Sequence, residues 1–537
     1  MKRQQGTFRE SWRPLHAQRR RGWIRKSRRR RSTALPGKGG SITRFWGGFL
    51  GSSYAIKRKI DFQAQAGLVP LLLAVWLAGC AVGPDYQRPA VKAPAVFRDD
   101  ASATNKSLAE LNWWQVYQDN NLQGLVREAF TNNYDLRIAM SRVEQARSVA
   151  MQARSQFFPN ANYGGNVGRG RNDLFDGPYP NHAITASSAL ATVNAFWEVD
   201  LWGRVRRLNE SARAQLLASE DARRAVRLSL LAEIATDYFR LMELDQELEI
   251  VQRTTNSFGE SLKIFTRRLE GGTASDLEAS RAEAALDDAL AATPSIREQI
   301  SVLENALSVL LGRVPGPITR IAPPFSPLPP EVPAGVPSAL LERRPDVRQA
   351  EQLLHSANAL IGESVAEFFP KIGLTAFLGK ISPELSAFTL GGANAWGVGA
   401  QATGPIFEGG RLVGQYRQAK AAREEARLRY QQTILGAFRD VSDALVSRER
   451  LAEIRELEAR EVKALQRATR VSTERYVAGK ASYYEVLEAQ QQLFPAELAL
   501  ARTQRDQQLA VVALYKSLGG GWSDETKGRA STAPIGH

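Results

Sequence analysis

The chain has 537 residues, 24% of them charged, and a formal net charge of +15. Its one cysteine, Cys80, excludes an internal disulfide framework. Residues 1–60 carry 18 Lys or Arg against Glu10 alone, and the chain from Cys80 onward is almost neutral, so the charge gives the body no nucleic-acid-binding character.

Residues 1–56 read as a basic leader, either disordered or lying upstream of the true start. The segment RRRGWIRKSRRRR at 19–31 has the charge for nucleic acid, but the leader reading is the more economical one and no nucleic-acid partner is expected. A secretory signal follows at 57–79. Lys57, Arg58 and Lys59 precede an uncharged apolar run at 67–78 and the small residues Ala78 and Gly79. The run is too short to span a bilayer, which takes about 20 residues. It ends in LAGC at 77–80, which resembles a bacterial lipobox and implies a lipid on Cys80.

Beyond the signal the chain divides at 311–345, a linker with ten of the 25 prolines. The flanking segments, 80–310 and 346–522, are two copies of one unit, followed by a disordered tail at 523–537. Phe157-Phe158-Pro159 recurs as Phe368-Phe369-Pro370, an offset of 211 that also relates Asp135 to Asp346. Downstream the offset is 207, relating Gly203 to Gly410, Gly272 to Gly479 and Leu311-Gly312 to Leu518-Gly519. Such regularity points to duplication.

Each copy is expected to begin with a helix of about 35 residues ending at Phe-Phe-Pro, because the residue before a proline resists the α conformation. Two strands follow. Residues 372–378 and 396–403 alternate apolar with small or polar side chains, the period of a strand with one apolar face. The counterparts at 161–171 and 184–197 alternate less regularly. Proline-free segments rich in helix formers then predict long helices at 203–269 and 411–477, each about 100 Å at 1.5 Å per residue. Both end at a glycine turn, Gly272 or Gly479, from which a second helix runs back.

Four strands in an exported chain suggest a share of an outer-membrane barrel. An open sheet edge cannot face lipid, and a barrel needs about eight strands, so several chains must associate. The expected fold is mainly α with a β part.

The sequence resembles the TolC family of outer-membrane efflux lipoproteins, in the NodT/OprM-like branch that works with RND pumps. The resemblance rests on CAVGPDYQRP at 80–89, LNWWQVYQDNNLQGLVREAF at 111–130, AFWEVDLWGRVRR at 195–207, LLERRPDVRQAE at 340–351, ANALIGESVAEFFPKIGLTA at 357–376 and GPIFEGGR at 404–411. It implies a homotrimer with a 12-stranded outer-membrane barrel and a helical periplasmic tunnel. It also implies a periplasmic adaptor and an inner-membrane RND pump as partners, an anchor in outer-membrane lipid, and no cofactor beyond the lipid on Cys80. Paired acids past the second tip glycine, here Glu485 and Glu488, would line the channel gate. Tyr476 and Asp276 would form the tip latch, with Gly272 and Gly479 as the tip turns. Glu appears where the family often has Asp, and Ser482 where some members have Arg. Three-fold symmetry would make two acidic rings, a cation-attracting constriction.

Other chemistry finds no support. Glu485 and Glu488 share one helix face and could not flank a scissile bond, as glycosidase carboxylates do. The histidines at 16, 182, 355 and 537 lack metal-ligand spacing, and PGKGGS at 36–41 lacks the first glycine of a phosphate loop. Neither a metal site nor an enzyme is expected. A type I protein-secretion duct of the same fold and a periplasmic spacer or adaptor remain as alternatives.

Overall fold

The computed structural model describes residues 81–91, 94, 111–171, 185–321, 328, 340–382, 386–389 and 393–520. All belong to the second of two units, Val69–His537. The leader, the signal segment, the tail and Cys80 lie outside the described residues.

In chain order the elements are α1 Trp113–Val116, α2 Asn120–Asn132, α3 Tyr134–Ser155, β1 Asn160–Arg171, β2 Thr185–Val199, α4 Arg204–Glu270 and α5 Asp276–Leu310. The second copy gives α6 Leu340–Arg343, α7 Pro345–Ala366, β3 Lys371–Ser382, β4 Asn394–Thr403, α8 Arg411–Val477 and α9 Tyr483–Ser517. A 3₁₀ turn at Ser386–Thr389 lies between β3 and β4.

The helix expected before each Phe-Phe-Pro is interrupted, and both copies break it in the same way. Asn133 is extended, and its side-chain oxygen accepts from Leu136 N at 2.9 Å, capping α3. Its amide nitrogen donates to Leu310 O at 2.8 Å. The counterpart of Asn133 is Arg344, also extended, which donates to Ser517 O at 3.0 Å. Leu310 and Ser517 are themselves related by the 207 offset. Each break is thus nailed to the end of its own returning helix. Pro345, expected to close the linker, instead opens α7, where a missing N–H costs nothing.

The long helices are as expected: α4 and α8 each run 67 residues, about 100 Å. No isolated helix pair buries a core at that length, and α4 packs against α3, α5, α7 and α9, while α8 packs against α7 and α9. The largest core lies at mid-length, where Trp113, Tyr238, Phe239, Leu241, Leu307 and Tyr515 are buried together. Tyr238 donates to Asp119 at 2.6 Å and Tyr515 to Leu111 O at 2.9 Å, so these two buried hydroxyls are satisfied, while that of Tyr117 in the same core has no partner among the described residues.

The strands form one antiparallel sheet in the order β1-β2-β3-β4. Its register pairs Tyr163 with Val193, Val193 with Leu378 and Leu378 with Trp396. Directly opposed residues point to the same side. One face therefore carries Tyr163, Val167, Val193, Trp197, Leu374, Leu378, Trp396 and Val398, with Ala161, Ala191, Ala195, Ala376 and Ala400 between them, and Arg169 and Lys380 at the end of the sheet away from the helices. The other carries Asn160, Asn162, Asn166, Thr192, Asn194, Thr375 and Gln401, many glycines, and Leu190, Phe196, Phe377 and Ile381. Trp396 and Val398 are 74% and 78% exposed. The irregular first-copy strands thus fall into line once paired with the second.

Beneath the sheet, residues 81–91 are strapped to the helices. Val82 N donates to Trp202 O, and the buried Arg207 holds Asp85 at 2.8 Å. Gly83 lies so close to Gly362 that a Cβ would sit 2.4 Å from its Cα. Arg88 pairs with Glu351 at 2.9 Å. No described helix is long and apolar enough to cross a membrane.

Candidate functional site

The two helical hairpins end in matching turns. Gly272 and Gly479 have φ of 68° and 66°, the left-handed region that favours glycine. Thr273 N bonds Arg268 O at 2.8 Å and Lys480 N bonds Arg475 O at 2.8 Å, closing both helix ends in the same way.

Past the turns the copies diverge. In the first, Ser275 and Glu278 form a reciprocal capping box at the start of α5, Ser275 N donating to Glu278 at 2.9 Å. In the second, Ser482 makes no side-chain cap, and Glu485, the counterpart of Glu278, reaches Arg475 at 3.2 Å instead. Arg475 also donates to Lys480 O at 3.4 Å, bracing the turn from which α9 departs. Both members of the Arg475–Glu485 pair are about half exposed, so it orients Glu485 more than it stabilises the fold. Glu488 is exposed, three residues further along the same face.

Tyr483 replaces the exposed Asp276 and is 3% exposed. Its ring centroid lies 3.7 Å from that of Phe265 and 6.0 Å from that of Tyr476, and Phe265 and Tyr476 are 5.8 Å apart. Burial pushes the Tyr483 hydroxyl above its ordinary value. Ala282, Ala285, Ala289, Val486 and Leu487 complete this core, in which α4, α5 and α9 meet. Arg268 lies over the Tyr476 ring at 4.9 Å and donates to its hydroxyl. The aromatic cluster therefore joins the first hairpin to the second.

The structure brings Tyr476 into this cluster but not Asp276. Within one chain the polar partner of Tyr476 is Arg268, whereas Asp276 opens α5 with its side chain exposed and no partner among the described residues. The geometric reason is its place at the first helical position, past the turn, while Arg268 sits on the last turn of α4 facing α8. Phe265, Arg268, Arg475 and Tyr483 were not singled out from sequence. The spacing Tyr483, Val486, Leu487, Gln490 does mark a buried helical face.

Behind the tip, polar links hold the hairpins together. Gln490 donates to Ser257 at 2.9 Å, Arg253 pairs with Glu497 at 2.7 Å, Arg502 with Glu247 at 2.7 Å and Arg505 with Glu243 at 2.8 Å. Burial outweighs Arg505 and holds the Glu243 carboxyl above its ordinary value. No group of three or more His, Cys, Asp or Glu able to hold a metal ion occurs among the described residues.

Comparison with known proteins places this geometry. Residues 125–313 and 336–520 match the family described as outer membrane efflux protein, once per copy of the duplicated unit. The chain is 35% identical over 458 residues to the toluene efflux pump outer membrane protein TtgC of Pseudomonas putida, covering 84% of this chain and 94% of that protein. It is 30% identical over 460 residues to the cation efflux system protein CusC of Escherichia coli, covering 84% and 99%. Among solved structures, the open state of the Neisseria gonorrhoeae MtrE outer membrane channel aligns with a TM-score of 0.72 at 30% identity, covering 82% of this chain and 99% of that one. The chain belongs to the outer membrane efflux protein family and is an outer-membrane efflux channel, not an enzyme.

Proposed function

We propose that three copies of the chain form the exit duct of a tripartite efflux system, passively conducting small molecules from an inner-membrane RND pump and its periplasmic adaptor. The observation that carries this reading is the sheet: its register gathers most of the large apolar side chains on one face and most of the asparagines, glycines and threonines on the other. One face suits lipid and the other a water-filled lumen. The edges of β1 and β4 are unpaired among the described residues, and closure by three copies gives twelve strands.

A lipid on Cys80 fits this arrangement. The strap that begins at Ala81 is tied at Trp202 and Arg207, directly beneath the sheet, which supports an anchor beside the membrane. The long hairpins then project away from the membrane, and Glu485 and Glu488 at their ends form the gate. Arg268, Tyr476 and the aromatic cluster hold each chain's two hairpins together, and Asp276, exposed at the start of α5, is left for a contact between copies. The cargo is set mainly by the pump, consistent with relatives named for toluene and for cations.

Planar-bilayer recording tests the reading. The purified protein should give small, cation-preferring channels, and Glu485→Gln/Glu488→Gln should lower that preference. A protein that never conducts overturns the duct; conduction with unchanged selectivity removes the acids from the gate.

A further inference from the structure

A cavity runs behind the tip, on the side of α9 away from the two acids. Its volume is about 660 Å³, and α4, α8 and α9 each supply a wall. On α9 the residues that face it recur every seven, Tyr483, Gln490 and Glu497, a stripe roughly 21 Å long. Glu485 and Glu488 lie about half a turn round the helix from that stripe. The counterparts of the stripe at an offset of 207, Asp276, Glu283 and Leu290, are exposed instead. Their helix α5 packs chiefly on α4, whereas α9 has both α4 and α8 for neighbours.

Three side chains on the walls keep polar atoms buried and unpaired. Gln490 is only 9% exposed; its nitrogen donates to Ser257 at 2.9 Å, and its oxygen Oε1 accepts no bond among the described residues. The Thr469 hydroxyl on α8 is likewise without a partner, and that of Tyr483 has Ser261 beside it, outside hydrogen-bond geometry. Buried polar groups are nearly always paired, so these atoms mark where the polar groups of a bound molecule belong. Beside them the walls are apolar or aromatic: Ile264, Phe265, Tyr476, Val486 and Leu493. Water alone covers such a surface poorly, and a volume of this order is typical of sites for small organic ligands.

The charges on the walls narrow the class. Glu497 is already held by Arg253 at 2.7 Å and Glu260 by Lys263 at 2.8 Å, while Arg470 and Glu474 are exposed. The interior therefore offers neutral hydrogen-bonding groups and ring faces. We propose that the cavity binds a small uncharged aromatic molecule carrying hydroxyl or amide groups, and that the bound molecule holds the tip closed. α4 belongs to the first hairpin, α8 and α9 to the second. A molecule touching both walls binds only while they stay together, so its binding opposes their parting. That consequence rests on the duct reading; the binding itself does not.

Bisphenol A, with two rings and two hydroxyls, is a suitable probe, and its dimethyl ether keeps the rings but cannot donate. Hydrogen exchange on the full-length protein in nanodiscs reads where each acts. Bisphenol A should slow exchange at least threefold at the start of α9 and the ends of α4 and α8, with no change around Leu230 and Leu241. The ether should need at least tenfold higher concentration, because a site built to bond a hydroxyl rejects analogues that lack it. Thr473→Trp puts a large ring into the cavity from an exposed position on α8 and should abolish the effect while the mid-length core stays protected. Equal potency of the ether overturns the ligand class. No slowing at the tip, or slowing undiminished in Thr473→Trp, overturns the site. In planar bilayers bisphenol A should lower the open time of the parent at least threefold and leave Thr473→Trp unchanged. Tip protection without that change overturns the hold on the hairpins, and a protein that binds the probe but never conducts overturns the duct reading while the site stands.

Discussion

Replacing Tyr483 with Ala removes the ring that ties the two hairpin tips together. The side chain is 3% exposed, and its ring packs 3.7 Å from that of Phe265 and 6.0 Å from that of Tyr476. Truncating a buried aromatic side chain costs about 3–5 kcal/mol. The mid-length core around Tyr238 and Tyr515 is separate from the tip cluster, so the loss falls on local opening of the hairpin ends rather than on global unfolding. At roughly 1.4 kcal/mol per factor of ten, the local opening equilibrium shifts by about a hundredfold or more. Hydrogen exchange should accelerate by that order at the start of α9 and the end of α4, while amides around Leu230 and Leu241 stay protected. Channels in a bilayer should open more often. Tyr483→Phe keeps the ring, so it should shift exchange by less than tenfold. Exchange of Tyr483→Ala within threefold of the parent protein, with the fold intact, would refute the reasoning.

Two glycines with almost the same backbone should respond differently to alanine. Gly272→Ala meets open space at φ 68° and should cost only the left-handed strain, about 1–2 kcal/mol. Gly312→Ala, at φ 71°, would also place its Cβ 2.5 Å from Asn132 O, so its thermal midpoint should fall clearly below that of Gly272→Ala; equal midpoints would contradict the packing. Glu243 supplies a pH test. Its folded-state value lies above the ordinary 4.5, so the folded protein binds this proton more tightly than the unfolded chain does. The group's contribution to stability is therefore fullest at low pH and declines as pH rises above 4.5 through the raised value. Glu243→Gln should flatten the thermal midpoint against pH in that window, and an unchanged slope would exclude Glu243 as its source.

Much of this was legible because the chain repeats itself. The strict alternation of 372–378 and 396–403 and the proline-free runs before Gly272 and Gly479 carry strand, helix and turn directly in their spacing. The first-copy strands were obscured by the Asn and Gly of β1, which contributes only Ala161, Tyr163 and Val167 as apolar side chains to the apolar face, beside Gly165 and Arg169. That face becomes visible when the register sets Tyr163 opposite Val193. The break at Asn133 was missed because apolar spacing runs through it, while the force that makes it is a distant bond to Leu310 O. At the tip, sequence singled out the acids past the second turn. It could not tell that Glu278 would be spent on a cap and Glu485 on Arg475, since those bonds depend on how each helix leaves its turn.

The central claim, that one face of the sheet meets lipid and the other water, is tested most directly by single cysteines along β4. Val398 and Ala400 lie on the apolar face, and Gly399 and Gln401 on the other. In reconstituted vesicles, a charged water-soluble maleimide should label Gly399→Cys and Gln401→Cys readily, while Val398→Cys and Ala400→Cys resist it and instead carry probes quenched from within the bilayer. Equal labelling of all four by the water-soluble reagent, with no quenching from lipid, would contradict the account.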